Sequence, residues 1–342
     1  MTDEGPGEAA SLARDSSLPI PRAPLGVHAS PVELVTVDGH ELWLKREDRN
    51  AALLGGNKVR ALQHLLAGVG EDTLVLTLGG VGSTHVLATA IHAARLGARS
   101  WAVRWPHALN PTARAVSVAI AARCERSPVE SAPLALMRLG WWRARMRLAR
   151  REARYIPFGG SAPEGIAGQV EAALELAAQL RSGGLPTPAR VVLPVGSGGT
   201  TAGLAIGFAL AGLDTQVVGV RVGPAMGVNR RRVMGLVART RRWLLRTIGL
   251  RTPDPVSVQL LHGYYGGAYG RPLPSGRDAA AALAERTDVH LDDSYGAKAA
   301  AAALHLAATA PGPTLLWVTS DAAAIRALVT SAIPTAREEP SR

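Results

Sequence analysis

Short apolar runs rich in β-branched residues alternate with longer helical patterns along most of the chain. Val32 to Val37 and His40 to Lys45 flank Asp38-Gly39, a typical hairpin turn, and therefore predict two paired strands. Further strands are predicted at 74–78, 99–103, 191–195, 217–222 and 315–319, and helices at 58–69, 83–96, 111–122, 170–180, 202–210 and 278–285. This alternation predicts an α/β fold with parallel or mostly parallel twisted sheets that are flanked by helices.

Two of the predicted strands run into glycine-rich turns that continue as helices. The first turn is Gly79-Gly80-Val81-Gly82-Ser83-Thr84-His85, and the second is Gly196-Ser197-Gly198-Gly199-Thr200-Thr201. A turn of this kind points backbone N–H groups at one spot, and such a spot binds anions. Each turn alone is weak evidence, because many α/β proteins turn on glycine without holding a ligand. Together they predict one cradle for a phosphate and one for a carboxylate.

Lysine is nearly absent from this basic chain. Of 38 lysine and arginine residues, only Lys45, Lys58 and Lys298 are lysine. An arginine cannot replace an amine that must lose its proton and attack a carbonyl, whereas a desolvated lysine acts as a nucleophile. Lys58 directly follows Gly55-Gly56-Asn57 and is therefore the candidate for covalent chemistry. Chance survival at the surface is the alternative for any one of the three.

Composition agrees with a two-domain enzyme. A chain of 342 residues with 47% hydrophobic content is long enough to bury two cores. The single cysteine, Cys124, excludes an internal disulfide and fits a reducing compartment. No apolar run approaches the roughly 20 residues of a membrane span, and Met1 to Arg14 carries acids rather than a signal-peptide core. We therefore expect a cytoplasmic protein without a membrane span.

The net charge of +11 raises the question of a nucleic-acid or membrane partner. Arginines concentrate in Arg138 to Arg154, which includes Trp141-Trp142, and in Arg230 to Arg251. In the second stretch an apolar stripe lies opposite the arginines: Val233, Leu236, Val237, Leu244, Leu245 and Ile248. Such helices either bind an anionic surface or pack on the core through the stripe. We expect packing for the second stretch and no specific nucleic-acid partner, and both interpretations stay open for the tryptophan-bearing one.

The order of four motifs resembles a known enzyme family. Lys45-Arg46-Glu47-Asp48, Gly55-Gly56-Asn57-Lys58, the turn at 79–83 and the turn at 196–200 are similar to the pyridoxal-phosphate enzymes of the tryptophan synthase β fold, fold type II. The chain looks most like the branch with 1-aminocyclopropane-1-carboxylate deaminase and D-cysteine desulfhydrase. The resemblance runs from about residue 25 to 321 and includes Phe158-Gly159-Gly160-Ser161, Gly267-Ala268-Tyr269-Gly270 and the segment 291–298.

The resemblance implies a domain arrangement. Residues 1–24, which are polar and contain prolines, are expected to form a flexible arm. Residues 25–57 and 162–342 would form a large cofactor-binding domain, and residues 58–161 a smaller inserted domain. The family then places the cofactor, pyridoxal 5'-phosphate, in the cleft between the two.

The resemblance also implies roles for particular residues. Lys58 would bind the cofactor covalently and shuttle protons at the substrate carbon, and burial would favour its neutral form. The phosphate would be held by Gly196, Ser197, Gly198, Gly199 and Thr200. Asn57 would either bond the phosphate or shape the turn. Ser83 and Thr84 would take the carboxylate of a small amino-acid substrate. Tyr269 and Tyr295 match two active-site tyrosines that act as acids or polarise a leaving group.

Some positions depart from the pattern of the branch. Thr84 stands where the branch has an asparagine that bonds the 3-oxygen of the cofactor. Gly296 stands where the deaminases have a glutamate facing the pyridine nitrogen and the desulfhydrases a threonine. Thr319 or Ser320 could instead supply a hydroxyl partner to that nitrogen. His85 resembles the desulfhydrases, although an isolated histidine at a helix start is also compatible with a structural role.

The expected function is that of a pyridoxal-phosphate-dependent lyase or deaminase on a small amino acid. The preferred activity is β-elimination like that of D-cysteine desulfhydrase, which gives a 2-oxo acid and ammonia. Gly296 argues against the alternative, the opening of a cyclopropane ring. The alternatives are 1-aminocyclopropane-1-carboxylate deaminase and a cofactor-binding protein that is non-catalytic or specialised to a pathway, for example by racemisation. We expect the protein to form a homodimer.

Overall fold

The computed structural model of the chain describes residues 16–107, 109–320 and 322–332. They form two compact units. The first runs to Gly68 and resumes from Pro157 through the last strand, and the second comprises Val69–Ile156 and the C-terminal helix. The predicted inserted domain, residues 58–161, shares its central part with the second unit. The helix that carries Lys58 belongs to the first unit instead, because it packs along the helix Pro163–Gly183.

The elements follow one another in the predicted alternating order. The strands of the described residues are β1 (Val32–Val37), β2 (His40–Lys45), β3 (Leu74–Gly80), β4 (Arg99–Trp105), β5 (Ala153–Ile156), β6 (Arg190–Val195), β7 (Gln216–Arg221), β8 (Val258–Leu261) and β9 (Thr314–Trp317). The α-helices are α1 (Asn57–Leu65), α2 (Thr84–Arg95), α3 (Pro111–Arg123), α4 (Ala132–Leu148), α5 (Pro163–Gly183), α6 (Gly199–Leu210), α7 (Arg230–Ile248), α8 (Pro274–Ala284), α9 (Gly296–Thr309) and α10 (Ala322–Ala332). Short 3-10 helices lie at Glu47–Arg49 and Phe158–Gly160.

The first unit is built on a six-stranded sheet with the strand order β1-β2-β9-β6-β7-β8. All neighbouring strands are parallel except β1 and β2, which form the predicted hairpin. The turn between them uses positive φ angles at Asp38 (51°) and Gly39 (81°), as a tight hairpin requires. The carboxyl ends of the parallel strands therefore lie along one edge of the sheet, where ligands of α/β proteins bind.

Apolar side chains cover both faces of this sheet. On one face, buried residues of α5, α6 and α7 pack against alternate residues of the strands, with Phe208 and Trp317 among the largest. On the other face, α8 and α9 pack through small side chains, including the run Ala299 to Ala303. Parallel strands that are buried on both faces explain why their sequences read as continuous apolar runs.

The predicted flexible arm is wrong for the part of it that the structure describes. Leu18 and Ile20 are buried in the core of the first unit. The backbone N–H of Leu18 donates to Glu171 Oε1 at 2.7 Å, and that of Ala23 donates to Gln63 O. Apolar side chains inside a polar segment thus hold residues 18–24 in place. The rest of the predicted arm, residues 1–15, lies outside the described residues.

Buried ion pairs connect the first elements of this unit to α5. Lys45 Nζ lies 2.5 Å from Glu175 Oε1 and also donates to Ser30 O. Arg60 pairs with Glu175 at 2.8 Å and with Glu47 at 2.7 Å. Burial and these carboxylates act on Lys45 together, and its pKa is lowered because burial is the largest effect. Lys45 is therefore retained as part of a structural charge network.

The second unit has a three-stranded parallel sheet with the order β4-β3-β5. Its core contains Leu74, Leu76, Leu78 and Val103, on which α4 packs with Trp142. The neighbouring Trp141 points outward and is 51% exposed. The tryptophan pair therefore divides between the core and the surface of this unit.

The second arginine-rich stretch forms α7, and it packs on the core as expected. Val233, Leu236, Val237 and Leu244 are buried, whereas Leu245 is exposed, so the stripe is narrower than predicted. No helix of the described residues is long and apolar enough to cross a membrane. The predicted α/β architecture with mostly parallel sheets is confirmed.

Candidate active site

Lys58 lies in the first turn of α1, beside a small pocket in the first unit. The pocket is lined by Asn57, Gly159, Gly160, Gln169, Gly199 and Thr200, together with Lys58 itself. Among the described residues, Lys58 Nζ has no hydrogen-bond or ion-pair partner, unlike Lys45 and Lys298. Burial alone lowers the pKa of Lys58 to about 8. A substantial neutral fraction near neutral pH is what a nucleophilic amine requires.

A close approach of two chain segments fixes the start of the lysine helix. Gly56 has a φ of 124°, and a Cβ there would lie 2.5 Å from the carbonyl oxygen of Thr319. The next residue, Asn57, donates its backbone N–H to this oxygen at 2.9 Å. Only glycine fits at this position, so Gly56 is explained by packing against Thr319, just after β9, whereas a Cβ on Gly55 would meet the carbonyl oxygen of Asp48 at 2.4 Å.

Asn57 also connects the lysine helix to the second glycine turn. Its Nδ2 donates to Thr200 Oγ1 at 2.9 Å, and its carbonyl oxygen accepts a hydrogen bond from Gln169 Nε2 at 2.7 Å. These contacts fit the role in which Asn57 shapes the turn, and a bond from Asn57 to the phosphate stays a prediction.

The turn Gly196–Thr200 joins β6 to α6 and has the geometry of an anion cradle. Gly198 has a φ of 91° and directly precedes α6. Among the described residues, the backbone N–H groups of Gly196, Ser197 and Gly198 have no hydrogen-bond acceptor. Ser161 Oγ donates to Ser197 Oγ at 2.7 Å. Unpaired N–H groups at a helix N-terminus attract a phosphate, because the helix dipole adds to their partial charge.

The two predicted tyrosines contact each other. Tyr269 and Tyr295 place their hydroxyl oxygens 2.5 Å apart, with the rings edge to face. Burial raises the pKa of Tyr269, and burial together with Tyr269 raises the pKa of Tyr295 well above its usual value. Both phenols therefore keep their protons at neutral pH and are available as acids. The ring of Tyr295 also lies against Gly196, since a Cβ on that glycine would be 3.2 Å from it.

A carboxyl group that sequence reasoning did not single out lies next to Gly296. Asp292 accepts hydrogen bonds from the backbone N–H groups of Ser294, Tyr295 and Gly296 at 2.8–3.2 Å. Burial raises its pKa, although these donors oppose the shift. Ser320 Oγ donates to the same carboxyl at 3.4 Å. The sequence has no acid at Gly296 itself, and the structure places the carboxyl of Asp292 beside the backbone N–H of this residue.

These contacts close into a ring within the first unit. Each residue of this ring is joined to the next by a peptide bond or by one of the contacts given above. The order is Asn57, Thr319, Ser320, Asp292, Tyr295, Gly196, Ser197, Gly198, Gly199 and Thr200. Thr319 contributes its backbone carbonyl to this ring and Ser320 its hydroxyl, and a hydroxyl of Thr319 or Ser320 facing the pyridine nitrogen stays a prediction. The structure therefore brings together Lys58, the phosphate cradle and both tyrosines.

The other predicted cradle belongs to the second unit, between β3 and α2. Ser83 is the N-cap of α2, and its Oγ accepts from the backbone N–H of Val86 at 3.4 Å. Gly79 is required here, because a Cβ would lie 2.8 Å from Ser83 Oγ. Thr84 starts the helix and is partly exposed. The turn has the N-cap geometry that the carboxylate cradle needs.

His85 is buried in the second unit, and its structural interpretation is favoured. Its Nε2 lies 3.3 Å from Thr77 Oγ1, and Thr77 in turn donates to Ile156 O. The histidine thus links the start of α2 to strands β3 and β5.

Three similarities to known proteins accompany this geometry. Residues 23–321 match the family described as "Pyridoxal-phosphate dependent enzyme". The chain is 38% identical over 314 residues to "Nocardicin C-9' epimerase" of Nocardia uniformis subsp. tsuyamanensis, covering 88% of this chain and 92% of that protein. It is 33% identical over 300 residues to "D-cysteine desulfhydrase" of Yersinia enterocolitica, covering 83% and 87%.

A solved structure supports the fold. The crystal structure of an "ACC deaminase homologue" superposes with a TM-score of 0.76 at 23% identity, and the match covers 96% of this chain and 99% of that chain. The family match and this likeness confirm the predicted fold type II, the cofactor and the enzyme class.

Proposed function

Because this chain belongs to the family of pyridoxal-phosphate-dependent enzymes, we propose that it removes the α-proton of a small amino acid and eliminates a β-substituent. The leading substrate is D-cysteine or a related β-substituted D-amino acid, which would yield a 2-oxo acid and ammonia. The unpartnered Lys58 Nζ beside the phosphate cradle carries this proposal.

The residues present fit the cofactor. A partly buried amine without a partner suits an aldehyde, and unpaired N–H groups at the start of α6 suit its phosphate. When bound, pyridoxal 5'-phosphate supplies an electron sink that stabilises negative charge at the substrate carbon. In our proposal Gly196–Thr200 holds the phosphate and Lys58 holds the aldehyde carbon.

The protein's own side chains supply the proton transfers. Lys58, freed by the incoming substrate amine, takes the proton from the substrate α-carbon. Tyr295 or Tyr269 donates a proton to the departing sulfur, since both phenols carry their protons at neutral pH and lie together in the site. Ser83, Thr84 and nearby backbone N–H groups remain the proposed ligands of the substrate carboxylate.

Epimerisation at the same carbon is a second candidate function. The specific observation in its favour is the 38% identity to an epimerase, which exceeds the 33% identity to the desulfhydrase. Epimerisation returns a proton to the opposite face of the α-carbon and breaks no β-bond. A protonated tyrosine can serve either reaction, as the acid for a β-leaving group or as the donor of the proton that returns to the α-carbon.

One incubation separates the two candidates. The protein loaded with cofactor is incubated in deuterium oxide with D-cysteine, β-chloro-D-alanine or D-serine, and then with the L-forms. Elimination yields pyruvate, whereas epimerisation yields the opposite enantiomer carrying deuterium at the α-carbon. We expect pyruvate from at least one D-amino acid, and inverted substrate without pyruvate would contradict the proposal.

Two variants assign the roles. Reduction with borohydride is expected to fix the cofactor on Lys58, as mass spectrometry of the peptides would show, and an adduct on Lys45 or Lys298 would contradict it. Tyr295→Phe should lower elimination by roughly 10²-fold without loss of the Lys58 adduct. Equal loss of adduct and activity would instead indicate a structural role for Tyr295.

We further propose that the enzyme works as a cytoplasmic homodimer. Its single cysteine, Cys124, is a buried free thiol whose pKa burial raises to about 11, which suits a reducing compartment. Light scattering of the purified protein during gel filtration should give twice the chain mass of 35.6 kDa.

A further inference from the structure

Arg221 is a cation at the edge of the first unit's sheet where the parallel strands end. Part of its hydrogen-bonding capacity is unused among the described residues. It is the last residue of β7, and its guanidinium donates from Nε to His262 Nδ1 at 2.9 Å and from Nη1 to Gly223 O at 2.7 Å. Its Nη2 has no acceptor among the described residues. His262 accepts at Nδ1, so the neutral ring carries its proton on Nε2. Arg221 and His262 therefore offer N–H donors that are already held in place.

Arg221 and Lys298 both lie near the ring of Tyr265, and among the described residues neither forms an ion pair, although Asp292 and Asp293 act on Lys298 from a longer distance. The guanidinium carbon of Arg221 lies 4.6 Å from the ring centroid of Tyr265, and Lys298 Nζ lies 5.9 Å from the same centroid. Lys298 also donates to Tyr265 O. The described ion pairs include none for Arg221, whereas the buried cations Lys45, Arg46 and Arg60 each have one. An anion at Arg221 would be attracted by both cations.

Three connections place this cluster beside the ring of contacts around Lys58. Arg221 is the strand partner of Val195, which directly precedes the phosphate cradle. Tyr265 shares its loop with Tyr269, which hydrogen-bonds Tyr295. Lys298 lies one turn after Tyr295 at the start of α9.

We propose that Arg221 and His262 form a subsite for a carboxylate at the far end of the substrate side chain. The preferred substrates would then be amino acids with a second anionic group, and this inference rests on the proposed amino-acid substrate. Arg221 presents a planar fork of donors that matches a carboxylate.

A second source of the same chemistry is the cofactor phosphate, because Arg221 is adjacent to its cradle. A phosphate contact would make Arg221 necessary for cofactor affinity, whereas a substrate contact would leave that affinity unchanged. The experiment therefore measures both affinities.

The test compares acidic amino acids with neutral isosteres on protein loaded with pyridoxal phosphate. Aspartate, glutamate and 2-aminoadipate are paired with their side-chain amides asparagine, glutamine and homoglutamine, each in D and L form. Dissociation constants come from the change in the cofactor's visible absorbance and from the thermal shift. We expect at least one acidic compound to bind at least about tenfold more tightly than its isostere. In Arg221→Met this preference should disappear, with cofactor affinity unchanged.

Two further variants serve as controls for the effect of Arg221→Met. Arg246→Met removes an exposed arginine of α7 and should keep the full preference. Arg221→Lys keeps a cation and should keep part of it, even if Arg221→Met is poorly folded. A wild type without preference, an equal loss for acidic and neutral compounds, or a loss of cofactor affinity alone would each overturn the subsite. A failure of the proposed function would appear separately, as the absence of the Lys58 adduct.

Discussion

At the scale of single residues, the environment of Lys58 makes a prediction about pH. A pKa of about 8 means that Lys58 is protonated below this pH and becomes a nucleophile above it. At pH 7 roughly a tenth of it is neutral, against about one part in three thousand for an unperturbed lysine. We expect the rate at which the apoprotein captures pyridoxal phosphate to rise with pH and level off above about 8. Stopped-flow absorbance measures this rate.

The control is free Nα-acetyl-lysine, for which capture should keep rising beyond pH 10. Lys58→Arg should show no capture at any pH, since a guanidinium stays charged. A wild-type profile that follows the free amino acid would show that burial does not act on this amine.

Gly296 makes the second prediction at this scale. Ring opening of a cyclopropane lacks a good leaving group and depends heavily on charge stabilised in the cofactor, whereas a thiol carries charge away. We expect D-cysteine to yield pyruvate faster than 1-aminocyclopropane-1-carboxylate yields 2-oxobutyrate. Gly296→Glu should raise the second activity relative to the first, after Leu291 shifts, since a Cβ would lie 3.0 Å from its Cδ2.

The matched variant for this prediction is Asp292→Asn, because Asp292 is the carboxyl already present near this position. Its effect on the ratio of the two activities tells whether Asp292 or the missing glutamate matters. A wild type that prefers the cyclopropane substrate would refute the argument from Gly296.

Several site residues could be predicted from the sequence because they belong to motifs of consecutive residues. Lys58, the cradle at 196–200 and the tyrosines belong to short motifs whose chemistry is visible in consecutive letters. Asp292 and Arg221 could not be found that way, because their importance lies in contacts with Ser320 and His262, far apart in the chain. Asn57 and Thr200 were both predicted as site residues, but the hydrogen bond between them was not, because they lie 143 residues apart in the chain.

At the scale of elements, the close approach of α1 to the segment after β9 predicts that one added methyl group at Gly56 lowers the unfolding free energy strongly. In Gly56→Ala the new Cβ would meet the Thr319 carbonyl oxygen, which cannot move without displacing β9. In Gly39→Ala, φ is also positive, at 81°, but nothing lies within 4 Å. We expect Gly39→Ala to cost about 1 kcal/mol of unfolding free energy and Gly56→Ala clearly more. Urea unfolding measures both, and equal costs would contradict the close approach.

The charge network on α5 predicts a large effect of a small change. Glu175→Gln removes the carboxylate that neutralises Lys45 and Arg60, so both cations lose a buried partner. We expect a loss of about 3 kcal/mol in unfolding free energy. The exposed pair of Glu285 with Arg286 is the control, and Glu285→Gln should cost less than about 1 kcal/mol. A cost for Glu175→Gln as small as that of the control would contradict the network's structural role.

Elements with a clear period were predictable, and those without one were not. The hairpin β1–β2 agrees with the prediction at both ends. Helix α9 was not predicted from the sequence, because its run of alanines shows no apolar stripe. The small alanine side chains pack against the core on several sides of this helix. Strands β5 and β8 have four residues each and include polar residues without a period, whereas the equally short β9 lies in a continuous apolar run.

At the scale of the whole molecule, the charge of +11 predicts weak, unspecific association with nucleic acid. Arginines contact phosphates and release counterions, so affinity should fall steeply as salt rises. At 150 mM salt we expect dissociation constants of roughly 10⁻⁶ M or weaker, equal for unrelated sequences. Fluorescence anisotropy with labelled duplexes measures this. Tight and sequence-selective binding at that salt concentration would contradict the prediction.

The strand order has a consequence for synthesis on the ribosome. β2 and β6 do not pair with each other but with β9, which is the last strand to leave the exit tunnel. The carbonyl of Thr319 that receives Asn57 emerges later still. During most of its translation the nascent chain therefore contains the reactive lysine but lacks a complete binding site for the vitamin B6 derivative. Messages truncated before residue 314 should yield polypeptides that never acquire the yellow colour of the holoenzyme.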